Sequence, residues 1–327
     1  MSISELLDPF EKLLELAVWP YIRSIESGGP WRAAWDEISN SGFLDALVPE
    51  AAGGAGLTLD DVAVLLHAIG RFAVPLPIGE TLAVRAIVPA GFAKDDDVVV
   101  LVSPVATGAG LLQRAVPCGA IATHALVDLG DRLVYTDLAG ARRHPVQLHS
   151  SISSDIHWDT VPAGPEFPRP AEGLWPLGAV LRAALIAGVA DRLLETTVDY
   201  ANERTQFGKP IGRQQVIQQQ LAVMAEKAVS ARVASRIGCL SGLAPSTVSA
   251  AIAKLGTSAA SVEVAAIAHA VHGAIGLSEE LDLPLFTRRL YEWRIADGSE
   301  GYWARKLGAA RMAHAGVPSS EFIRKFV

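Results

Sequence analysis

From Trp175 onward the chain repeats apolar residues every three to four positions, and that periodicity admits few folds. Leu181, Leu185, Val189, Leu193 and Tyr200 form one stripe, and Ile217, Leu221, Met224 and Ala228 form the next. Spacing of this kind puts side chains on one face of an α-helix. Ser246 to Ala270 reads as a long Ala-rich helix, whose small side chains allow close helix approach. Pro284 to Trp293 and Tyr302 to Ala313 complete the set. Four or more long helices with short connections predict a bundle. Between the first two stripes lies Arg204-Thr205-Gln206-Phe207-Gly208-Lys209-Pro210-Ile211-Gly212.

The first 94 residues also read as helical. Leu6, Phe10, Leu13, Leu14 and Ala17 fall at helical spacing, and Trp31 to Leu47 gives a second helix. Glu50 to Leu57 is a glycine-rich loop, because glycine loses most entropy on ordering. No strand precedes it and no Lys-Ser/Thr follows it, so it is not a phosphate loop. Asp60 to Phe72 resumes a helix, with Val62, Leu65, Leu66 and Ile69 on one face. Residues 96–168 change character. Val98 to Val102, Ala120 to Ala122, Ala125 to Val127 and Leu133 to Tyr135 are short apolar runs between Gly, Pro and Asp, as strands of a small β-domain would be. The expected organisation is an N-terminal helical domain (1–94), a reduced β-domain (95–170) and a C-terminal helical bundle (171–327).

Half of the 327 residues are hydrophobic and the mean hydropathy is +0.29. Extensive buried helix or a large subunit interface would account for this. No uninterrupted apolar window of about 18 residues occurs, so no membrane span is expected. Met1-Ser2-Ile3-Ser4-Glu5 has neither a basic flank nor an apolar core, so no export signal is read. The net charge of −7 argues against broad nucleic-acid binding. Cys118 and Cys239 make neither a disulfide framework nor a metal set, and a reducing cytoplasm is the expected compartment.

The 204–212 stretch resembles the Arg-x-Gln-Phe-Gly-x-Pro-Ile signature of the acyl-CoA dehydrogenase family. Tyr200 to Ile217, His272 to Leu277 and Leu285 to Leu307 carry the resemblance most strongly. Leu44 to Leu57, with Val48-Pro49-Glu50 and Gly53-Gly54-Ala55-Gly56, is a weaker echo. The resemblance implies a mostly α fold with a small middle β-domain and a C-terminal four-helix bundle. It also implies FAD as cofactor, an acyl-CoA thioester as substrate and an electron-transfer flavoprotein or similar acceptor. Arg204 would then reach the diphosphate of an FAD bound mainly by an adjacent subunit, and a guanidinium suits that task bidentately. Gln206 and Phe207 would touch the adenine-ribose and flavin side. Taken alone, Arg204 also reads as a helix-terminal cation offsetting the dipole. His272, Gly273 and Gly276 resemble the family's Gln-x-x-Gly-Gly-x-Gly turn near the adenosine, with Ala270 and Ala274 as departures. A histidine packed at a bundle end is the other reading of His272.

In this family a glutamate removes the α-proton of the thioester while the flavin accepts a hydride from the β-carbon. Asp297-Gly298-Ser299 stands where the family commonly has Glu-Gly-Thr. Aspartate is one methylene shorter, and ångström-scale misplacement costs about 10²-fold in rate. Asp297 reads either as that base or as the N-cap of the last helix. The alternative base position falls near Leu181, which cannot act; Arg182 beside it resembles a family arginine near the base and the substrate, and Glu300 is displaced from both positions. The Thr-Glu-Pro-x-x-Gly-Ser-Asp flavin strand is absent, with Leu101 to Gly108 in its place. Short family members of this kind pair with a full-length sister that supplies the base, forming an α2β2 heterotetramer, with examples in actinobacterial steroid side-chain degradation. Three readings follow: such a subunit, a self-sufficient enzyme using Asp297, and a flavin-free scaffold.

Overall fold

The computed structural model describes residues 3–108 and 110–325; Met1 and Ser2, part of the segment read for an export signal, lie outside them. The chain opens with helices α1 (Ile3–Leu13), α2 (Ile22–Glu26), α3 (Arg32–Asn40), α4 (Leu59–Arg71) and α5 (Ile78–Ile87). The helix read from Trp31 to Leu47 is shorter than the sequence predicts. It stops at Asn40, because Gly42 turns left-handed at φ +81°, and only a 3₁₀ turn at Phe43–Asp45 follows. The glycine-rich loop holds one 3₁₀ turn, Glu50–Ala52, closed by Gly53 at φ +91°.

Two four-stranded sheets follow. In the first, β1 (Val99–Val102), β4 (His124–Asp128), β5 (Leu133–Asp137) and β8 (Glu166–Phe167) are neighbours in that order, with β1 parallel to β4. Val84 from α5 and Val88 just after it pack with Val99, Leu126, Leu133, Tyr135 and Phe167 to form its core. The second sheet runs β2 (Val105–Thr107), β3 (Gly110–Val116), β7 (Ser154–Trp158), β6 (Arg142–Pro145), antiparallel throughout. The run Ala120 to Ala122 is not a strand. The amides of Ile121 and Ala122 both donate to the Cys118 carbonyl, so the chain turns there between β3 and β4.

From Trp175 the chain is helical: α6 (Trp175–Glu203), α7 (Gln215–Cys239), α8 (Thr247–His272), α9 (Leu283–Ile295), α10 (Glu300–Ala313) and α11 (Ser319–Arg324). Between α6 and α7 lies a hairpin of β9 (Thr205–Gln206) and β10 (Lys209–Pro210). The fold is thus mostly α with a small β region. Its contacts fall into two compact units, residues 1–65 with 74–181 and 241–246, and residues 66–73 with 182–240 and 247–327.

Small residues set the helix spacing in the second unit. Ala187, Ala231 and Ala260 form one cluster between α6, α7 and α8. At Gly188 an added Cβ would lie 2.0 Å from the His67 carbonyl oxygen, and at Gly70 it would lie 2.1 Å from that of Leu185. His67 Nε2 meets Asp191 Oδ2 at 2.8 Å, and Arg71 donates twice to Glu195, at 2.7 and 2.8 Å, across the same crossing. Gly188→Ala is therefore expected to force α4 and α6 apart and to cost about 1–3 kcal/mol, measured as a lower denaturation midpoint at unchanged slope.

Helix α8 with its extension to Leu277 is long and apolar enough, by composition, to cross a bilayer. Here it is a core helix. It packs against α7, α9 and α10, and its buried Lys254, Ser258 and Ser261 hydrogen-bond inside the unit.

Candidate functional site

The hairpin after α6 is built by its turn. Gln206 pairs with Lys209, leaving Phe207 and Gly208 as a two-residue loop with φ of +53° and +79°. Positive φ at both central positions is the type I′ geometry that matches strand twist. Glycine takes this conformation freely; a bulky side chain does not. Phe207 nevertheless occupies it and is 91 % exposed. The Arg204 amide donates to Tyr200 O at 2.9 Å and the Ile211 amide to Arg204 O at 2.8 Å, so the hairpin is anchored at its base. Arg204 and Gln206 are exposed, and Arg204 joins no ion pair among the described residues.

The turn that ends α8 lies at the same end of this unit. His272 is buried; its ring stacks on Tyr200 at 4.2 Å, and its Nδ1 donates to Ala268 O at 2.8 Å. Burial holds its pKa below the ordinary histidine value, against the opposing pull of that hydrogen bond. The Tyr200 hydroxyl also donates to His272 O at 3.4 Å, and Ala201, Ile211 and Val271 pack beneath. Gly273 sits at φ +65°. At Gly276 a Cβ would come within 2.8 Å of His272 Cβ and 2.9 Å of a Leu283 methyl. The structure thus gathers Arg204, Gln206, Phe207, Gly273 and Gly276 at one end, with the His272 ring turned into packing. A guanidinium, an amide and an exposed aromatic on a hairpin anchored at its base suit the diphosphate and adenine of a dinucleotide.

Arg182 lies on α6 roughly 30 Å from Arg204 at 1.5 Å rise per residue. It is 4 % exposed and donates through Nε to Asp297 Oδ2 at 3.2 Å. Asp297 is not an N-cap. The cap of α10 is Ser299, which makes no side-chain capping bond, and Asp297 sits two residues earlier at φ +54° with its carboxylate turned onto Arg182. Its carbonyl accepts from Trp303 Nε1 at 2.9 Å. Gly298, at φ +94°, has no room for a Cβ beside the Trp303 and Tyr302 rings. Glu300 pairs with Arg294. Burial pushes the Glu300 carboxyl up, yet the hydrogen bonds from Arg294 hold it below the usual carboxylate value overall.

One member of this cluster escaped the sequence reading. Lys254, within the Ala-rich helix α8, is fully buried and donates to the Trp293 and Arg294 carbonyls. Its signal was the one lysine or arginine of this helix, set among small and apolar residues in its first third. The segment Leu101 to Gly108 passes from β1 of one sheet into the exposed edge strand β2 of the other. Among the described residues, no three His, Cys, Asp or Glu side chains come together in a set able to hold a metal ion.

Acyl-CoA dehydrogenase IpdE2 of Mycolicibacterium smegmatis is 31 % identical over 80 % of this chain and 81 % of its own length. The chain belongs to the acyl-CoA dehydrogenase family. The family description "Acyl-CoA dehydrogenase, C-terminal domain" matches residues 176–313, which span α6 to α10. Among solved structures, a variant of the Tcur3481-Tcur3483 steroid ACAD superposes with a TM-score of 0.83 at 24 % identity, covering 96 % of this chain and 99 % of that one. The ChsE4-ChsE5 complex of Mycobacterium tuberculosis gives 0.79 at 19 % identity, covering 97 % and 98 %. As a member of this family, the chain is an oxidoreductase of the acyl-CoA dehydrogenase kind.

Proposed function

We propose that this chain is one subunit of a heteromeric FAD-dependent acyl-CoA dehydrogenase that forms an α,β-double bond in an acyl-CoA thioester. The partner is a full-length sister subunit in an α2β2 assembly, and an electron-transfer flavoprotein or similar protein takes the electrons in the cytoplasm. Residues 171–327 form the bundle that meets the sister, while 1–94 and 95–170 are its helical and reduced β-domains. A steroid side-chain CoA ester is the proposed substrate class, supported by the similarity to the Tcur3481-Tcur3483 steroid ACAD; the similar ChsE4-ChsE5 complex supports a paired assembly.

One observation carries this reading: Arg204, Gln206 and Phe207 are exposed on a hairpin anchored at its base, roughly 30 Å along α6 from Arg182, the partner of Asp297. Within one chain the two ends cannot serve one flavin. FAD bound against the hairpin would supply the hydride acceptor. Arg204 holds the diphosphate by a charge-assisted fork, and Phe207 offers its face to the adenine side. The backbone at Gly273 leaves room for close approach. Asp297 takes no proton from substrate, since its carboxylate is already the partner of Arg182; the base comes from the sister. Exposed valines along α7, Val216, Val223, Val229 and Val233, add apolar surface for the interface.

Co-expression with a full-length family member tests this. The expected product is a yellow complex of two kinds of chain, and this chain purified alone is expected to be flavin-poor or to aggregate. A yellow, active homo-oligomer with one FAD per chain would overturn the proposal and favour the self-sufficient enzyme. A stable complex with no flavin would favour the scaffold.

A further inference from the structure

We propose that Lys254 is a positioning residue that clamps the C-terminal end of α9 to α8 and so keeps the following turn, with Asp297, folded onto Arg182. This deepens the proposed function, since it explains why the carboxylate at the family's base position stays away from substrate, and it rests on that reading.

The geometry is that of a fully used ammonium. Lys254 Nζ donates to Trp293 O at 2.9 Å, to Arg294 O at 2.8 Å and to Ser258 Oγ at 3.1 Å. Three donors meet three acceptors, and the side chain is 0 % exposed. Trp293 and Arg294 lie in the last turn of α9, where carbonyls lack intrahelical partners and carry the negative end of the helix dipole. A buried cation there satisfies two orphan acceptors at once. Ser258, one turn further along α8, also lies 3.5 Å from Arg294 O and backs the same contact. Three residues after Arg294 the chain reaches Asp297 in its left-handed conformation, so the place of that carboxylate follows from where α9 is stopped. At the other end of the helix pair, His269 Nε2 meets Thr287 Oγ1 at 3.1 Å, so α9 is pinned to α8 twice.

The charged groups facing Lys254 come from every side of this corner: Arg182 from α6, Arg294 from α9, Asp297 from the turn and Glu300 from α10. Burial lowers the Lys254 pKa to about 7, with Asp297 and Glu300 opposing the fall and Arg182 and Arg294 adding to it. The three acceptors on Nζ favour the charged form and oppose that fall, so the clamp rests on these contacts.

Amide exchange in the assembled heteromer tests the clamp. In Lys254→Met, amides of residues 293–300 are expected to exchange about tenfold faster or more than in wild type, while those in the middle of α7 keep their rates. Lys254→Gln, which keeps a donor without the charge, is expected to recover part of the protection at 293–300. Flavin content is read in parallel and reports on the hairpin, roughly 30 Å away; its loss in wild type speaks against the proposed function and not against the clamp. Unchanged exchange at 293–300 in the variant, or a loss of protection spread evenly over all helices, would overturn the proposal. Should Lys254→Met fail to fold, Lys254→Gln still decides it: exchange at 293–300 no faster than in wild type contradicts the clamp.

Discussion

Asp297→Asn is expected to lower the stability of the protein by about 3 kcal/mol while leaving turnover of the heteromer within a few-fold of wild type. Two buried cations, Arg182 and Lys254, face the carboxylate. Its removal leaves them facing one another with Glu300 committed to Arg294. Breaking a buried pair on one side strands the other charge, and that penalty exceeds what the pair itself contributes. The side chain of Asp297 is 16 % exposed, and asparagine still offers Arg182 an oxygen; both features place the effect at the lower end of the usual range. The kinetic arm separates the readings. Loss of a general base costs roughly 10²–10⁴-fold, whereas loss of a structural counter-ion does not touch a base held by the sister. Thermal melting and steady-state turnover of the same preparation check both arms. A stable variant with a collapsed rate would make Asp297 the base and this chain a self-sufficient enzyme.

The bundle was legible because its helices are long and carry uninterrupted 3.6-residue patterns. Leu181, Leu185, Val189 and Leu193 lie buried along α6 as their spacing predicts. Short elements were less so. Ala120 to Ala122 has the composition of a strand, yet the turn at Cys118 captures its amides, and three residues carry too little periodicity to reveal that. Helix α3 ended early because a left-handed glycine outweighs an apolar pattern that continues past it. Within the candidate site the hairpin was readable as a motif, but its geometry was not. That Phe207 sits at positive φ and almost wholly in solvent follows from the two-residue register, which only coordinates give. At Asp297 the sequence offered a base or a cap; the family resemblance put Arg182 near that base, but the ion pair between them was not read, because Arg182 lies far back in the chain on α6. Lys254 was hidden for the same reason: its acceptors are backbone carbonyls, which leave no trace in side-chain identity.

The hairpin bears most of the functional account, and Arg204 is its charged member. Arg204→Ala is expected to leave folding and assembly intact, because the side chain is exposed and joins no ion pair among the described residues. Its loss should appear only where a phosphate partner exists. A charge-assisted hydrogen bond to an ionised group contributes about 1.5–3 kcal/mol, roughly a ten- to a hundredfold weakening of FAD affinity. Arg204→Lys should recover part of it, since an ammonium keeps the charge and loses the fork. The decisive measurement is the dissociation constant of FAD from the heteromer carrying Arg204→Ala in this chain beside an unaltered sister. The account predicts a ten- to a hundredfold increase with unchanged subunit stoichiometry. An unchanged dissociation constant in an intact complex would show that this chain does not reach the flavin, and would contradict it.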